Sequence, residues 1–280
     1  MFMRKTDLEV TTGPPQATNS KVMCITLNKF LINVHKLGTC LGYFCLSPNE
    51  QKKMKITYLG HSCFHIDTGK AQLVFDPFIR PNDKAKGIVD IDKVKADYIL
   101  VSHGHDDHTA DLVYLAKKTG ATVISSYEVQ AWLGKQGIEK SHPMNFGGSW
   151  SFDFGTVKFF QAAHTSSFAD GSYAGAAGGF IITTDESCFY YAGDTGLFQD
   201  MKLIPMFHTL DFAFLPIGDN FTMDAEQAVI AAEFIACEDI IAMHFDTFGF
   251  IEIDHQKASE SFRNMGKSLL IPEIGKTIEK

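Results

Sequence analysis

From Met54 onward, apolar residues recur in short runs separated by glycines and polar turns, and the period of the runs changes along the chain. Met54–Leu59, Cys63–Asp67 and Ala71–Phe75 are β-branched and aromatic runs broken at Gly60 and at Thr68–Gly69, which predicts a three-strand meander. Asp97–Ser102 reads as a buried strand that ends in a polar cluster. Beyond it the pattern alternates: a helix over Asp111–Lys118, a strand at Thr122–Ser125 and a helix over Tyr127–Gln136. Strands follow near Ser149–Phe154, Val157–Ala162, Phe180–Thr184, Cys188–Ala192 and Phe212–Pro216. Asp224–Cys237 carries apolar residues at helical spacing behind an acidic first turn, which suits the positive end of a helix dipole. Ile240–Met243 is again strand and Asp254–Met265 helix. Strands that dominate early and alternate with helices later imply an α/β layered domain over residues 54–280.

The first 53 residues do not share this pattern. They carry seven Lys/Arg and three acids, net +4, so residues 54–280 carry 18 − 30 = −12. Thr11–Ser20 reads as flexible linker. The longest charge-free stretch, Leu37 to Asn49, falls short of the roughly 20 residues a membrane-spanning helix needs. The expectation is a poorly ordered or mis-started N-terminal extension that carries no chemistry.

Charge and cysteine usage remove several function classes. The whole chain has 25 basic and 33 acidic side chains, net −8, which lacks the basic excess of a non-specific nucleic-acid binder. Six cysteines with no CxxC pair argue against a disulfide-stapled secreted domain and against a structural zinc finger. The expected setting is cytoplasmic, with no membrane partner for residues 54–280.

The eleven histidines are unusual because several cluster. His103-Gly104-His105-Asp106-Asp107-His108 follows the strand 97–102 and precedes a helix. His103 and His105, two apart, point to one side of an extended backbone. Asp107 and His108, being adjacent, diverge from each other. A tight loop can aim the two pairs at points a few Å apart, a geometry for two metal ions. Imidazole with carboxylate suits zinc, and also manganese or iron. Four groups cannot complete two sites. His164, Asp194 and His244 each sit at the C-terminal end of a predicted strand and have the right character. Other residues are weaker candidates. His61, Cys63 and His65 share an i, i+2, i+4 spacing, but His61 is expected near the pocket rim and the other two in packing. Asp76 could hold a ligand histidine from behind or simply form the turn before Pro77. Asn220 and Thr222, with Asp219, could read substrate polar groups, although capping of the helix at 224 would explain at least one of them. His142, His208 and His255 read as surface or packing residues. Ala174–Gly179 (AGAAGG) lacks a phosphate-loop arrangement and reads as a stretch for close packing or a flap.

The HxHxDH loop, the later His164, the Gly193-Asp194 turn and Met243-His244 together resemble the metallo-β-lactamase-fold hydrolases over essentially all of 54–280. Tyr58–Phe64, Phe75–Phe78, Ala192–Gly196, Pro216–Met223 and Met243–Phe248 are similar to a small branch related to ascorbate-6-phosphate lactonase. The resemblance implies a four-layer αβ/βα sandwich with metals at one edge of two sheets. It assigns His103, His105 and His164 to a first ion, Asp107, His108 and His244 to a second, and Asp194 to a bridging position. It also leaves a homo-oligomer open.

Two divalent ions against two carboxylates leave a charge of about +2, which acidifies a bridging water and attracts an anionic substrate. The expected function is therefore a binuclear metal-dependent hydrolase, with two Zn2+ (or Mn2+ or Fe2+) and a metal-bridging hydroxide. It would act on a small ester, lactone or phosphodiester, with Asp107 and His244 as catalytic residues. The alternatives are a nuclease-type phosphodiesterase, which the −12 charge opposes, and an inactive metal-binding scaffold, which the complete set of seven ligands opposes.

Overall fold

The computed structural model describes residues 53–280; apart from Lys53, the expectation for the N-terminal extension concerns residues outside this range. Fourteen strands form two seven-stranded sheets. The first contains β1 (Lys55–Gly60), β2 (Cys63–Asp67), β3 (Gln72–Phe75), β4 (Tyr98–Leu100), β5 (Thr122–Ser126), β6 (Ser141–Met144) and β14 (Thr277–Glu279), in the order β14-β1-β2-β3-β4-β5-β6. The second contains β7 (Ser149–Phe152), β8 (Gly155–Gln161), β9 (Gly178–Thr183), β10 (Cys188–Tyr191), β11 (Phe212–Pro216), β12 (Asp239–Met243) and β13 (Ser268–Leu270), in the order β13-β12-β11-β10-β9-β8-β7.

Each sheet is antiparallel over its hairpins and parallel where helices intervene. β1, β2 and β3 form the expected meander, and β3 to β6 run parallel. β7 to β10 are antiparallel, and β10 to β13 parallel. The apolar faces decide the layering. One buried cluster joins Phe64, Phe75 and Leu100 of the first sheet to Phe180, Tyr191 and Phe214 of the second, so the sheets pack face to face. A second cluster packs Val74, Ile99 and Val123 beneath α2 (Leu112–Thr119) and α3 (Tyr127–Lys135). On the other side, α4 (Ala225–Phe234) contacts β11, and α5 (His255–Asn264) contacts β13. The result is the expected four-layer αβ/βα sandwich. No helix among the described residues is long and apolar enough to cross a membrane.

β6, β13 and β14 were not predicted. All three lie at sheet edges, are three or four residues long and lack clean alternation, and β6 contains Pro143, which only an edge position tolerates well. A four-residue helix, α1 (Asp106–Thr109), occupies the second half of the expected metal loop. The cap of α4 is Asp224, which accepts from the Gln227 N–H at 2.7 Å, so capping does not account for Asp219, Asn220 or Thr222.

Strand direction places the chemistry. β1, β3 and β4 point one way in the first sheet, and β8, β10 and β12 share a direction in the second. His61, Asp76 and His103 follow the first three; His164, Asp194 and His244 follow the other three. The sandwich brings both sets of strand ends to one edge.

Candidate metal centre

Three overlapping groups of donors converge at that edge: His103, His105 and His164; His61, Asp107, His108 and His244; and His103, His108 and Asp194. Within each group the donor atoms lie within 4.8 Å of one another. Asp194 is central. Its Oδ2 lies 2.9 Å from His244 Nε2, 3.3 Å from His108 Nε2, 3.7 Å from His164 Nε2 and 4.0 Å from His103 Nε2. His103 Nε2 and His105 Nδ1 are 2.9 Å apart. Asp107 Oδ2 lies 3.8 Å from His244 Nε2 and 4.0 Å from His108 Nε2. Donors about 2.1 Å from a common tetrahedral ion sit roughly 3.4 Å from each other, and the contacts of Asp194 with His108 and His164 lie near that separation, while the two at 2.9 Å are also within hydrogen-bond reach. The structure thus brings together all seven predicted ligands, with His108, Asp194, His103 and His244 buried and Asp107 26% exposed on its side chain.

The loop builds one half of this arrangement. β4 delivers His103, and α1 then turns Asp107 and His108 away from His105. Gly104 lets the loop pass beneath Ala174, whose Cβ would lie 2.3 Å from an added Cβ. Its N–H donates to Ser166 Oγ at 3.1 Å, and Ser166 donates to the Ala174 carbonyl at 3.1 Å. Small residues at 174–179 thus serve close packing. Gly179 sits where a Cβ would meet the Tyr191 carbonyl oxygen at 2.5 Å.

The tautomers follow from a buried carboxylate behind the loop. Asp76 accepts from the Ser102 N–H (2.7 Å), the Ser102 hydroxyl (2.6 Å), His108 Nδ1–H (2.8 Å) and the Tyr191 hydroxyl (2.7 Å). Because Ser102 gives its hydroxyl proton to Asp76, its oxygen accepts from His103 Nδ1–H at 2.9 Å. In their neutral forms both rings therefore turn an Nε2 lone pair inward. His108 Nε2 and Asp194 Oδ1 are buried and have no hydrogen-bond partner. Buried polar atoms left unpaired cost free energy, and an inward set of nitrogen and oxygen lone pairs fits a divalent cation.

Electrostatics set the two halves apart. Burial, and then His108, hold His103 well below the ordinary imidazole range; burial lowers His105 and His164 too. Burial also opposes protonation of His108 and His244, but Asp194 and the other carboxylates outweigh it. His108 is raised well above 6.5, and His244 to about 9. Burial would raise Asp107 and Asp194, yet His108 beside both carries them far below the usual carboxylate range.

Backbone strain marks the same place. Among the described residues, seven non-glycine positions have left-handed φ, and six of them (His61, Asp76, Asp219, Asn220, His244 and Asp246) lie in loops at this edge. Such conformations cost on the order of 1–3 kcal/mol each and persist only where surrounding contacts hold them. Gly218 carries part of that load, since an added Cβ would meet the His244 carbonyl oxygen at 2.1 Å.

His61 departs from expectation. It is not at a rim: it is fully buried, and its Nε2 lies 3.1 Å from Asp107 Oδ2. It is also off the strand, so it does not share a face with Cys63, which packs in the outer core, or with half-buried His65. Asn220 is exposed and its N–H donates to Asp219 Oδ1, while Thr222 donates to the Met223 carbonyl; no hydrogen bond or ion pair among the described residues joins either to the cluster. His142 packs against the Trp150 ring at a tilt, and His255 pairs with Asp246 at 2.6 Å. Sequence reasoning missed Ser102, Tyr191 and Thr247. Ser102 had one usable signal, its place directly before His103; the other two had none.

Comparison with known proteins agrees with this geometry. The beta-lactamase superfamily domain matches residues 64–245. A UPF0173 metal-dependent hydrolase of Christiangramia forsetii is 51% identical over 226 residues, covering 81% of this chain and 100% of that protein. Another, from Methylacidiphilum infernorum, is 48% identical over 211 residues, 75% of this chain and 93% of that one. Among solved structures, Igni18, a metallo hydrolase from the archaeon Ignicoccus hospitalis, aligns with a TM-score of 0.74 at 31% identity, over 81% of this chain and 98% of its own. An isothiocyanate hydrolase from Delia radicum gut bacteria shares the fold, with a TM-score of 0.65 at 16% identity over 80% of this chain and 98% of its own.

Proposed function

Since this chain belongs to the UPF0173 metal-dependent hydrolases of the beta-lactamase superfamily, we propose that it is a binuclear hydrolase of a small ester, lactone or phosphodiester. The observation that supports two ions is the split of the donors around Asp194, with His103, His105 and His164 on one side and Asp107, His108 and His244 on the other. Nitrogen and carboxylate donors without thiolate suit Zn2+ first, and Mn2+ or Fe2+ as well. When bound, such ions supply Lewis acidity toward a carbonyl or phosphoryl oxygen and acidify water near pH 7.

The chain's own groups do the rest. Asp107, the more exposed of the two ligand carboxylates, is the group that can accept a hydrogen bond from an attacking water or hydroxide and orient it. His244 Nε2 stands between Asp107 and Asp194 and keeps the two carboxylates in register. The substrate is proposed to be small and anionic, drawn by the positive charge of the loaded site, and the likeness to the lactonase branch puts lactones and sugar phosphates first. Cys63, Cys188 and Cys237 are free thiols, in keeping with a cytoplasmic setting.

Elemental analysis of the purified protein, grown with zinc and with manganese, should find close to two ions per chain. A panel of lactones, sugar phosphates, aryl phosphodiesters and β-lactams should then show turnover in one class that chelation abolishes. No metal uptake under either condition would overturn the proposal.

A further inference from the structure

We infer that His61, steadied by Thr247, is the positioning residue of the second ligand group, its ring holding Asp107 while its main chain holds His244. This rests on the two-ion reading above and concerns contacts that lie outside the seven ligands. His61 follows β1 of the first sheet, and its carbonyl accepts from the His244 N–H at 3.0 Å and from the Tyr58 hydroxyl at 3.1 Å. His244 follows β12 of the second sheet, so one residue ties both sheets together at the centre. The tie requires a sharp turn. Gly60 has φ +110 and His61 φ +59, and an added Cβ on Gly60 would fall 2.6 Å from Asn82 Nδ2.

The ring makes two contacts, both specific. A carboxylate can only accept, so His61 Nε2–H donates to Asp107 Oδ2 at 3.1 Å. Nδ1 is then the acceptor, and the Thr247 hydroxyl meets it at 2.9 Å, closer than its other acceptor, the Phe245 carbonyl, at 3.2 Å. Thr247 lies three residues after His244 on the same loop, so the segment that supplies a ligand also steadies the residue behind another. His61 itself stands apart from the shared carboxylate. The Nε2 atoms of His103, His108, His164 and His244 all lie within 4.0 Å of Asp194 Oδ2, whereas the ion-pair contact of His61 is with Asp107. Its Nε2 lies within 4.8 Å of the His108 and His244 donors as well, and its hydrogen bond goes to Asp107 Oδ2. A partner of this kind fixes the direction of a ligand's lone pairs, and its loss typically weakens a metal by about 10–100-fold.

The test uses the full chain, stripped of metal and titrated with Co2+, with the electronic absorption of bound cobalt and the ion count read together. His61→Asn keeps a residue that tolerates the left-handed turn and removes the contact with Asp107. It should bind the first ion as the wild type does and the second about tenfold or more weaker. Thr247→Val should weaken the second phase by less, with unchanged thermal stability, and Thr247→Ser should restore it. If both His61→Asn and Thr247→Val bind the second ion as tightly as wild type, or if both phases weaken equally, the inference is overturned while the two-ion reading stands. Should His61→Asn fail to fold, the Thr247 pair decides alone. A wild type that takes up one ion or none overturns the two-ion reading and this inference with it.

Discussion

His103, His105 and His164 reach their common point from backbone in ordinary conformations, whereas His61 and His244, on the other side of Asp194, do so from left-handed turns at φ +59 and +55. The first group is also the more open: His105 and His164 are partly exposed, while His61, His108 and His244 are buried. Its rings are held below the ordinary imidazole range by burial, whereas the carboxylates around His108 and His244 overcome burial and hold them above it. One half is thus a pair of histidines on a loop completed by a third. The other joins Asp107 and His108, on the α1 turn of the same loop, to two distant strand ends under strain, His61 after β1 and His244 after β12. A geometry that needs strain to exist has to be held by contacts behind it: His61 stands in the second half, and Asp76 holds His108 there while reaching His103 of the first through Ser102. The difference suggests that the first half binds an ion wherever the loop forms, and that the second depends on the completed sandwich.

Removing the one ligand of the second group that faces solvent should have the largest effect. Asp107→Asn keeps size and shape, and the chain should fold. It replaces an anionic ligand and hydrogen-bond acceptor with a neutral amide and weakens the second group, so turnover should fall by about 10^3-fold or more. Steady-state kinetics with circular dichroism checks it; retention of most activity would remove Asp107 from its proposed role.

Next in size is Asp76, which touches both halves. Its carboxylate receives His108 directly and His103 through Ser102. Asp76→Asn turns an amide N–H toward donors in a buried place, at a cost of about 2–4 kcal/mol. Thermal denaturation should show that loss, and metal titration should show both ions weakened. Ser102→Ala should weaken only the first ion, since His108 keeps its own bond to Asp76. Equal weakening of both ions in Ser102→Ala would contradict the contrast between the halves.

What could be read ahead of the structure follows the same division. The His103–His108 run packs four donors into six residues, so its chemistry was legible from spacing, and strand ends pointed to His164, Asp194 and His244. The two sheets were legible in their hydrophobic runs, except for the edge strands β6, β13 and β14, whose short sequences bury little and alternate poorly. The turn position of His61 was legible from the break at Gly60, but its burial beside Asp107 was not, and a place near the pocket rim was expected instead. Its partners Asp107 and Thr247 lie 46 and 186 positions away. Such contacts arise from how two sheets meet, which no local window of sequence contains.

The smallest effect expected, and the one that separates the halves most cleanly, is the pH dependence of the metal-free chain. A histidine whose folded pKa is lowered destabilises the fold as pH drops below about 6.5, because the unfolded chain then binds a proton the folded one refuses. His103, His105 and His164 act this way, as does His61, lowered by burial to about 4. A histidine whose folded pKa is raised contributes stability that is complete below about 6.5 and is lost as pH climbs through the folded value. His244, raised to about 9, and His108 act that way. The chelated protein should therefore be most stable between pH 6 and 7, within roughly a unit of the imidazole value. It should lose a few degrees in melting temperature on either side. The acid limb would belong mainly to the first group and the alkaline limb to the second. His244→Asn, which tolerates the left-handed turn, should shrink the limb between about pH 6.5 and 9 without abolishing it, because His108 still contributes, and should ease the acid limb slightly by relieving His61 of a like charge. Bound ions should erase the alkaline limb in the wild type, because ligation requires those same rings to be unprotonated. An alkaline limb that neither His244→Asn nor metal loading diminishes would mean that the second group does not hold the protons its carboxylates imply.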